Sequence, residues 1–194
     1  MANIFQNLEI EAFRKGITPR TKESMDWFRR RAQQMSRLSP TKVMNSEPLE
    51  KSQNPVPGAM GMFLYDPKHK DTLPYYDTFP LVVFVGPAPK GFHGVNLHYL
   101  PPTLRAKMLD ALMDNTTNKT YDESTRMKAN YNLLKKVSGL KYFKPCFKHY
   151  LFDHVQSRFS VVPAPEWEIA AFLPTAQFKK ASASKVYADS RRMI

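Results

Sequence analysis

Residues Leu81 to Val85 are apolar at every position, and this run constrains the fold more than any other part of the chain. A strand with one face in water alternates apolar and polar residues, whereas a continuously apolar strand is covered on both faces. Val95, Leu97 and Tyr99 do alternate with polar residues, so they predict a second strand with one polar face. Residues 86–91 lie between the two segments and have the glycine and proline content of a hairpin loop.

The order of the remaining patterns predicts an α+β fold. Apolar, aromatic and β-branched runs predict strands at 60–65, 80–85, 92–100, 147–152, 158–162 and 167–173. Two segments after the third strand have apolar residues at helical spacing, which are Leu104, Met108, Ala111 and Leu112 in the first and Met127, Tyr131 and Leu134 in the second. Because strands and helices do not alternate, we expect a small antiparallel sheet or an SH3-like barrel with two to three helices and an extended N-terminal arm.

Composition divides the chain into three parts. Residues 1–58 predict an N-terminal helical arm and linker, because Met25, Phe28, Ala32 and Met35 recur at the spacing of a helix over 19–36. Proline, serine and asparagine without periodicity follow this helix. Residues 59–178 are the predicted α+β core domain, and residues 179–194 are a basic C-terminal tail.

Net charge narrows the class of partner. Over 194 residues the chain has 29 Lys and Arg against 17 Asp and Glu, a formal net charge of +12. This balance favours a polyanionic partner, which is nucleic acid, an acidic protein or an anionic membrane surface. No stretch approaches the roughly 18 apolar residues of a membrane span, and the N-terminus lacks a signal-peptide pattern, so we expect neither membrane insertion nor secretion. The single cysteine, Cys146, indicates a reducing compartment.

The longest positive stretch is the best candidate for contact with DNA. It contains no acidic residue between Glu123 and Asp153, and aromatic residues are interleaved with its cations. Lysine and arginine neutralise phosphates, and aromatic rings stack on exposed bases. The predicted DNA-binding residues are the cations of this stretch together with one arginine at a later strand start, for which a buried ion pair is an equally good interpretation: Arg126, Lys128, Lys135, Lys136, Lys141, Lys144, Lys148 and Arg158. A position in the core is the simpler interpretation for two of the interleaved aromatics, Tyr131 and Phe147.

Two further groups of residues predict contacts with partner proteins. The helix over 19–36 contributes two aromatics and three arginines, and the tail contributes three lysines. These residues are Trp27, Phe28, Arg29, Arg30, Arg31, Lys179, Lys180 and Lys185. A solvated helix face explains the arginines equally well, and both interpretations remain open.

The titratable residues form no recognisable catalytic or metal-binding motif. His93 and His98 differ by five positions, so on one strand they point to opposite faces, and the second histidine pair has the same spacing. Neither a His-Glu-x-x-His motif nor a phosphate-binding glycine loop occurs in the sequence. We therefore predict no catalytic residue, no metal site and no cofactor. One enzymatic alternative is a small-barrel nuclease with converging His149, Asp153, His154 and Arg158.

Five stretches of the sequence carry a family resemblance. They run from Met62 to Lys68, from Leu73 to Leu81, from Gly91 to Pro101, from Ser157 to Phe159 and from Glu166 to Ala170. The Tyr-Asp-Pro and Leu-Pro-Tyr-Tyr-Asp segments are the most specific of them. Together these stretches resemble virion proteins of contractile-tailed, T-even-like phages, a family labelled DNA end protector proteins.

The resemblance implies a non-catalytic structural protein of the virion, made in the host cytoplasm. Such a protein binds near the terminus of packaged double-stranded DNA and shields it from host exonucleases. The resemblance also implies contacts with other phage structural proteins of the head, neck or tail, and no membrane or small-molecule substrate. An architectural head–tail connector, capsid or baseplate protein remains the alternative, with its charge directed at acidic protein partners.

Overall fold

A computed structural model of the chain describes residues 3–46, 49–116 and 144–193, together with residues 125, 129, 132 and 133. In these residues six α-helices accompany eight β-strands. The helices are α1 (Ile4–Arg14), α2 (Lys22–Gln33), α3 (Pro40–Ser46), α4 (Pro102–Thr116), α5 (Trp167–Phe172) and α6 (Ala183–Arg192). The strands are β1 (Glu50–Ser52), β2 (Met60–Met62), β3 (Tyr76–Asp77), β4 (Leu81–Ala88), β5 (Gly91–Asn96), β6 (Phe147–Leu151), β7 (Phe159–Val162) and β8 (Phe178–Lys179).

Six of the strands form one antiparallel sheet in the order β1-β7-β2-β4-β5-β6, and β3 pairs with β8 in a separate two-stranded sheet. The β4–β5 hairpin lies within the larger sheet, with Val83 opposite Val95 and an irregularity between Phe84 and Gly86. Within the described residues β1 and β6 are open edges, so the sheet does not close on itself. The predicted α+β class and antiparallel sheet are therefore confirmed. Of the two predicted alternatives, the structure has the open sheet and not the barrel.

The apolar run in β4 is covered on both faces, as its composition predicts. Leu81, Val83 and Val85 belong to the larger hydrophobic core, to which the helices contribute. Val82 and Phe84 face the other way, into a cluster of aromatic rings that residues in and next to the sheet strands supply. The sheet thus separates two hydrophobic layers, and the run from Leu81 to Val85 is buried between them.

The N-terminal helices pack against the rest of the chain. Helix α2 begins after Thr21, whose side chain accepts a hydrogen bond from the Ser24 backbone, so the helix predicted over 19–36 is observed over Lys22–Gln33. Helices α1 and α2 both contact α5, and β1 pairs with β7. The domain boundaries predicted at residues 58 and 178 stay a prediction. Residues before 58 and after 178 contribute side chains to the same hydrophobic core as residues 59–178.

The strand predicted at 167–173 is wrong, because Trp167–Phe172 forms helix α5. Every residue of α5 is buried, so the segment shows no polar face, and a short apolar run does not distinguish a strand from an enclosed helix. Trp167 anchors the helix by donating a hydrogen bond from its indole to the Val162 carbonyl at 2.8 Å. The strand predicted over 92–100 ends at Asn96, where a 3₁₀ turn over Leu97–Tyr99 begins.

The helix predicted around Met127, Tyr131 and Leu134 lies outside the described residues. In the part of the chain that the structure describes, no helix is long and apolar enough to cross a membrane.

Candidate nucleic-acid interface

The structure describes three of the eight cations predicted to contact DNA. Lys144 is exposed in the turn before β6, Lys148 is partly buried within β6, and Arg158 is exposed immediately before β7. The other five lie outside the described residues, and their role stays a prediction: Arg126, Lys128, Lys135, Lys136 and Lys141. Lys148 is the one of the three that lines a concave site.

An open cleft of about 480 Å³ lies where the segment before β3 faces strand β6. We call it the tyrosine cleft. The residues used to define it are Tyr65, Tyr75, Tyr76, Tyr99, Tyr150, Lys68, His69, Asp77, Asn96 and Lys148. Its volume falls in the range of about 300–1,000 Å³ that is typical of small-molecule sites. The cleft therefore has the size to enclose one small aromatic or sugar-phosphate group.

Lys148 places a positive charge beside an aromatic ring in this cleft. Its ammonium nitrogen lies 4.0 Å from the centroid of the Tyr99 ring, a cation–π contact. Burial lowers the pKa of Lys148 below its ordinary value, although Cys146 acts in the opposite direction. Among the described residues no carboxylate forms an ion pair with this ammonium and no side-chain hydrogen bond reaches it. Within the described residues the Lys148 ammonium thus has no neutralising carboxylate.

A buried polar network lies behind the tyrosines and holds them in place. The Asn96 amide donates to the Tyr150 hydroxyl at 3.1 Å and to the Asp77 carboxylate at 3.2 Å. His98 lies between two polar groups, with Nδ1 2.6 Å from Asp77 and Nε2 3.0 Å from the hydroxyl of Thr175. Because His98 and Thr175 are at most 1% exposed, no substrate reaches this carboxylate–imidazole–hydroxyl arrangement, and its role is structural.

Asp77 is the acidic centre of that network. Burial alone would raise the pKa of Asp77, but the contact with His98 and the backbone N–H groups of Phe79 and Gln177 keep it below its ordinary value. Burial raises the pKa of Tyr99 and of Tyr150 well above the usual range, so both rings are neutral at physiological pH. The tyrosines of the cleft floor therefore present uncharged rings next to the Lys148 ammonium.

Lys180, from the C-terminal part of the chain, binds the segment that lines one side of the cleft. Its ammonium donates hydrogen bonds to the carbonyl oxygens of Lys70, Asp71 and Leu73 at 2.6, 2.9 and 3.2 Å. Lys70 also pairs with Asp66 across one turn of the same segment, at 2.9 Å. Lys180, predicted to bind a partner, thus has an intramolecular role as a clamp on the segment that carries Tyr75 and Tyr76.

We expect the variant Lys180→Met to increase the rate of backbone amide exchange over residues 70–76, because three carbonyl oxygens lose their shared donor. Hydrogen exchange followed by mass spectrometry measures this rate. Lys185→Met is the matched control, since the Lys185 ammonium pairs with Asp189 within α6 and does not contact the rim. Equal exchange over 70–76 in the Lys180→Met variant and the unmodified protein would show that the clamp does not hold the segment.

The other residues predicted to bind partners have varied surroundings. The rings of Trp27 and Phe28 are buried in the core and pack edge to face, so they do not present an aromatic surface to a partner in this conformation. Arg29 pairs with Asp26 at 2.8 Å, and Arg31 pairs with Glu11 at 3.0 Å. Arg30 and Lys179 are exposed. Contact with a partner protein stays a prediction for all of these residues.

The residues of the nuclease alternative do not converge on a shared site. His149 has its Nε2 3.0 Å from the carbonyl of Pro89, whereas His154 has its Nδ1 2.8 Å from the carbonyl of Asp66. Within the described ranges no group of three or more His, Cys, Asp or Glu side chains is arranged to hold a metal ion. The geometry gives no support to a reaction centre at these positions.

Charge reasoning identified Lys148 but missed the tyrosines around it. One local signal was present, because Lys148 and Tyr150 are two positions apart on β6 and therefore share a face. A second signal lies in the stretches that carry the family resemblance. Tyr65 belongs to the Tyr-Asp-Pro segment, and Tyr75 to Asp77 belong to the Leu-Pro-Tyr-Tyr-Asp segment, and both segments line the tyrosine cleft.

Comparison with known proteins identifies the family whose resemblance these segments carry. No curated protein and no solved structure matches the chain. A family model described as "Phage T4 terminal DNA protecting protein" matches residues 4–192, which is nearly the whole chain. The match includes the tyrosine cleft, both predicted basic groups and the N-terminal helices. The chain therefore belongs to the family of the phage T4 terminal DNA protecting protein.

Proposed function

We propose that this protein binds the ends of double-stranded DNA and shields them from exonucleases, without catalysing a reaction. The observation that carries the proposal is the family match over residues 4–192, since the family is described by protection of terminal DNA. The function is carried out in the phage particle, beside other phage structural proteins, after synthesis in the host cytoplasm. Protection of a terminus requires affinity for phosphate and steric cover of the strand ends, and neither requires a metal or a nucleophile.

The charge of the protein supports binding to the phosphate backbone. With a formal net charge of +12, the protein attracts DNA from a distance and releases counterions on contact. Lys144 and Arg158 are exposed, and Lys68 is exposed at the rim of the tyrosine cleft. These three side chains can approach phosphates without unfolding any part of the described structure, and we assign them to the DNA-facing surface together with Lys148.

Exonuclease digestion of linear duplex DNA in the presence of the purified protein tests the proposal. We expect protection against enzymes that degrade from either strand end, with affinity for linear DNA above that for closed-circular DNA. Affinity should fall steeply with salt concentration, because phosphate contacts release counterions. If linear and closed-circular DNA bind alike and the ends are digested at the unprotected rate, the proposal is wrong and an architectural role becomes the better account.

Charge-reversal variants test whether the DNA-facing surface that contains Lys144 and Arg158 is responsible for DNA binding. Lys144→Glu and Arg158→Glu should weaken binding across all DNA sequences, and each should reduce the slope of log affinity against log salt by about one for every phosphate it leaves without a cation. Arg30→Glu makes the same change in net charge on α2, outside the basic stretch, and serves as the control. An equal loss of affinity in all three variants would show that net charge, rather than this surface, determines binding.

A further inference from the structure

We propose that the tyrosine cleft holds the terminal nucleotide of a DNA strand, with its base against the Tyr75 ring and its phosphate beside Lys148. This inference rests on the proposed function, because it assigns that function a site for the strand end. Phosphate contacts alone do not distinguish the end of a duplex from its interior, whereas a site for the terminal nucleotide does.

The first argument concerns the charge of Lys148. An ammonium group removed from water is unfavourable unless an anion or a set of hydrogen-bond acceptors compensates it. Among the described residues Lys148 has only the face of the Tyr99 ring, at 4.0 Å. Asp77 also lines the cleft, but its two oxygens are engaged by His98, Asn96 and the backbone N–H groups of Phe79 and Gln177. An anionic ligand in the cleft therefore meets an ammonium that no carboxylate of the described residues neutralises.

The second argument concerns the rings. The hydroxyl of Tyr65 accepts a hydrogen bond from the Leu151 backbone at 3.1 Å, and that of Tyr150 accepts one from Asn96. The ring of Tyr75 is only partly buried, and its centroid lies 6.1 Å from that of Tyr99. Tyr65 and Tyr150 are buried and form a fixed floor, so the partly exposed Tyr75 is the ring on which a planar group stacks. Stacking of a base on an aromatic side chain contributes about 1–3 kcal/mol and tolerates every base.

The third argument concerns size and access. A cleft of about 480 Å³ accommodates a nucleotide, whereas an intact duplex does not enter it. A base must leave the helix to reach the rings, and this costs least where the base is unpaired or poorly stacked. The last base pair of a linear molecule has a stacking neighbour on one side only. Lys68 and His69 at the rim are positioned to meet the phosphates that follow the inserted nucleotide.

Fluorescence of 2-aminopurine in a linear duplex tests the inference with the full-length protein. We expect binding to change the emission of a probe at the terminal position and to leave a probe ten or more base pairs inside unchanged. Lys148→Met should weaken binding to the duplex end about tenfold, the effect of losing one hydrogen bond to a charged group. Tyr75→Leu should reduce the terminal fluorescence change, and leucine keeps an apolar side chain where Tyr75 packs against the core.

Lys185→Met is the control, because it removes a lysine of α6 that lies outside the cleft. If both cleft variants protect and bind DNA ends as the unmodified protein does, the inference is wrong while the proposed function stands. If deoxyadenosine monophosphate binds the unmodified protein as tightly as a duplex end does, the cleft is a site for a free nucleotide and the inference is also wrong. If the unmodified protein does not protect DNA ends from exonucleases, the proposed function itself is wrong.

Discussion

Replacing Asp77 by alanine should lower the free energy of unfolding by about 3–5 kcal/mol, because each buried donor left without an acceptor costs about 1–3 kcal/mol. Asp77 is 4% exposed, and its carboxylate is within hydrogen-bond distance of four groups. The substitution leaves His98 and the amide of Asn96 without this partner in the core, together with two backbone N–H groups. Urea denaturation followed by circular dichroism measures the loss.

Asp77→Asn provides the matched control for charge. The amide keeps an oxygen that can accept from the backbone of Phe79 and Gln177, so we expect a smaller loss than for alanine. Because the folded pKa of Asp77 is below its ordinary value of 3.8, the ionised form stabilises the fold above that pH. This contribution is lost as the pH falls through the folded pKa, and Asp77→Asn should lack that part of the acid dependence. Equal stability of the three proteins at pH 7 would contradict a central role for the network.

Replacing Phe63 by alanine should also destabilise the protein by about 3–5 kcal/mol, as large-to-small changes of buried aromatic residues do. Phe63 is fully buried, and its ring lies within centroid distances of 5.0–6.5 Å of five other aromatic rings. Two of those rings, Tyr65 and Tyr150, also line the tyrosine cleft. The variant should therefore weaken DNA-end binding as well as stability, and thermal unfolding together with the terminal-probe fluorescence measures both.

Phe13→Ala is the matched control for this substitution. Phe13 is 83% exposed on α1, so removing its ring should change the free energy of unfolding by less than about 0.5 kcal/mol. A similar loss of stability in both variants would mean that the aromatic cluster is not the centre of a tightly packed layer.

The parts of the fold that could be predicted from sequence are those in which the local pattern matches the final environment. The apolar run of β4 predicts burial on both faces, and the helical spacing after Pro102 predicts α4, because burial and period are visible in neighbouring residues. Helix α5 could not be identified in this way, since a helix enclosed on every side has no period to detect. Strands β1, β3 and β8 have two or three residues each and exist only because distant partners pair with them.

In the candidate site, too, some features were visible in the local sequence and others depend on residues that are distant in the chain. Lys148 could be identified by charge, since a basic stretch is a local property. Its surroundings could not, because Tyr65, Tyr75, Tyr99 and Tyr150 come from separate segments that only the tertiary structure brings together. Lys180 looked like part of a free tail, but its ammonium binds carbonyl oxygens more than 100 positions earlier in the chain. Charge alone does not distinguish a cation that binds a partner from one that holds a loop.

The open edges of the large sheet have a consequence for behaviour at high protein concentration. An exposed edge strand is a template on which another chain can add a strand, which leads to aggregation. Strand β1 offers little of this surface, because it has three residues, two of them charged, and the Lys51 ammonium is bonded to Met44 and Ser160. Strand β6 is longer, and among the described residues no strand covers its outer side. Of the two edges that the described strands form, β6 rather than β1 should therefore be the one at which crowded molecules begin to associate.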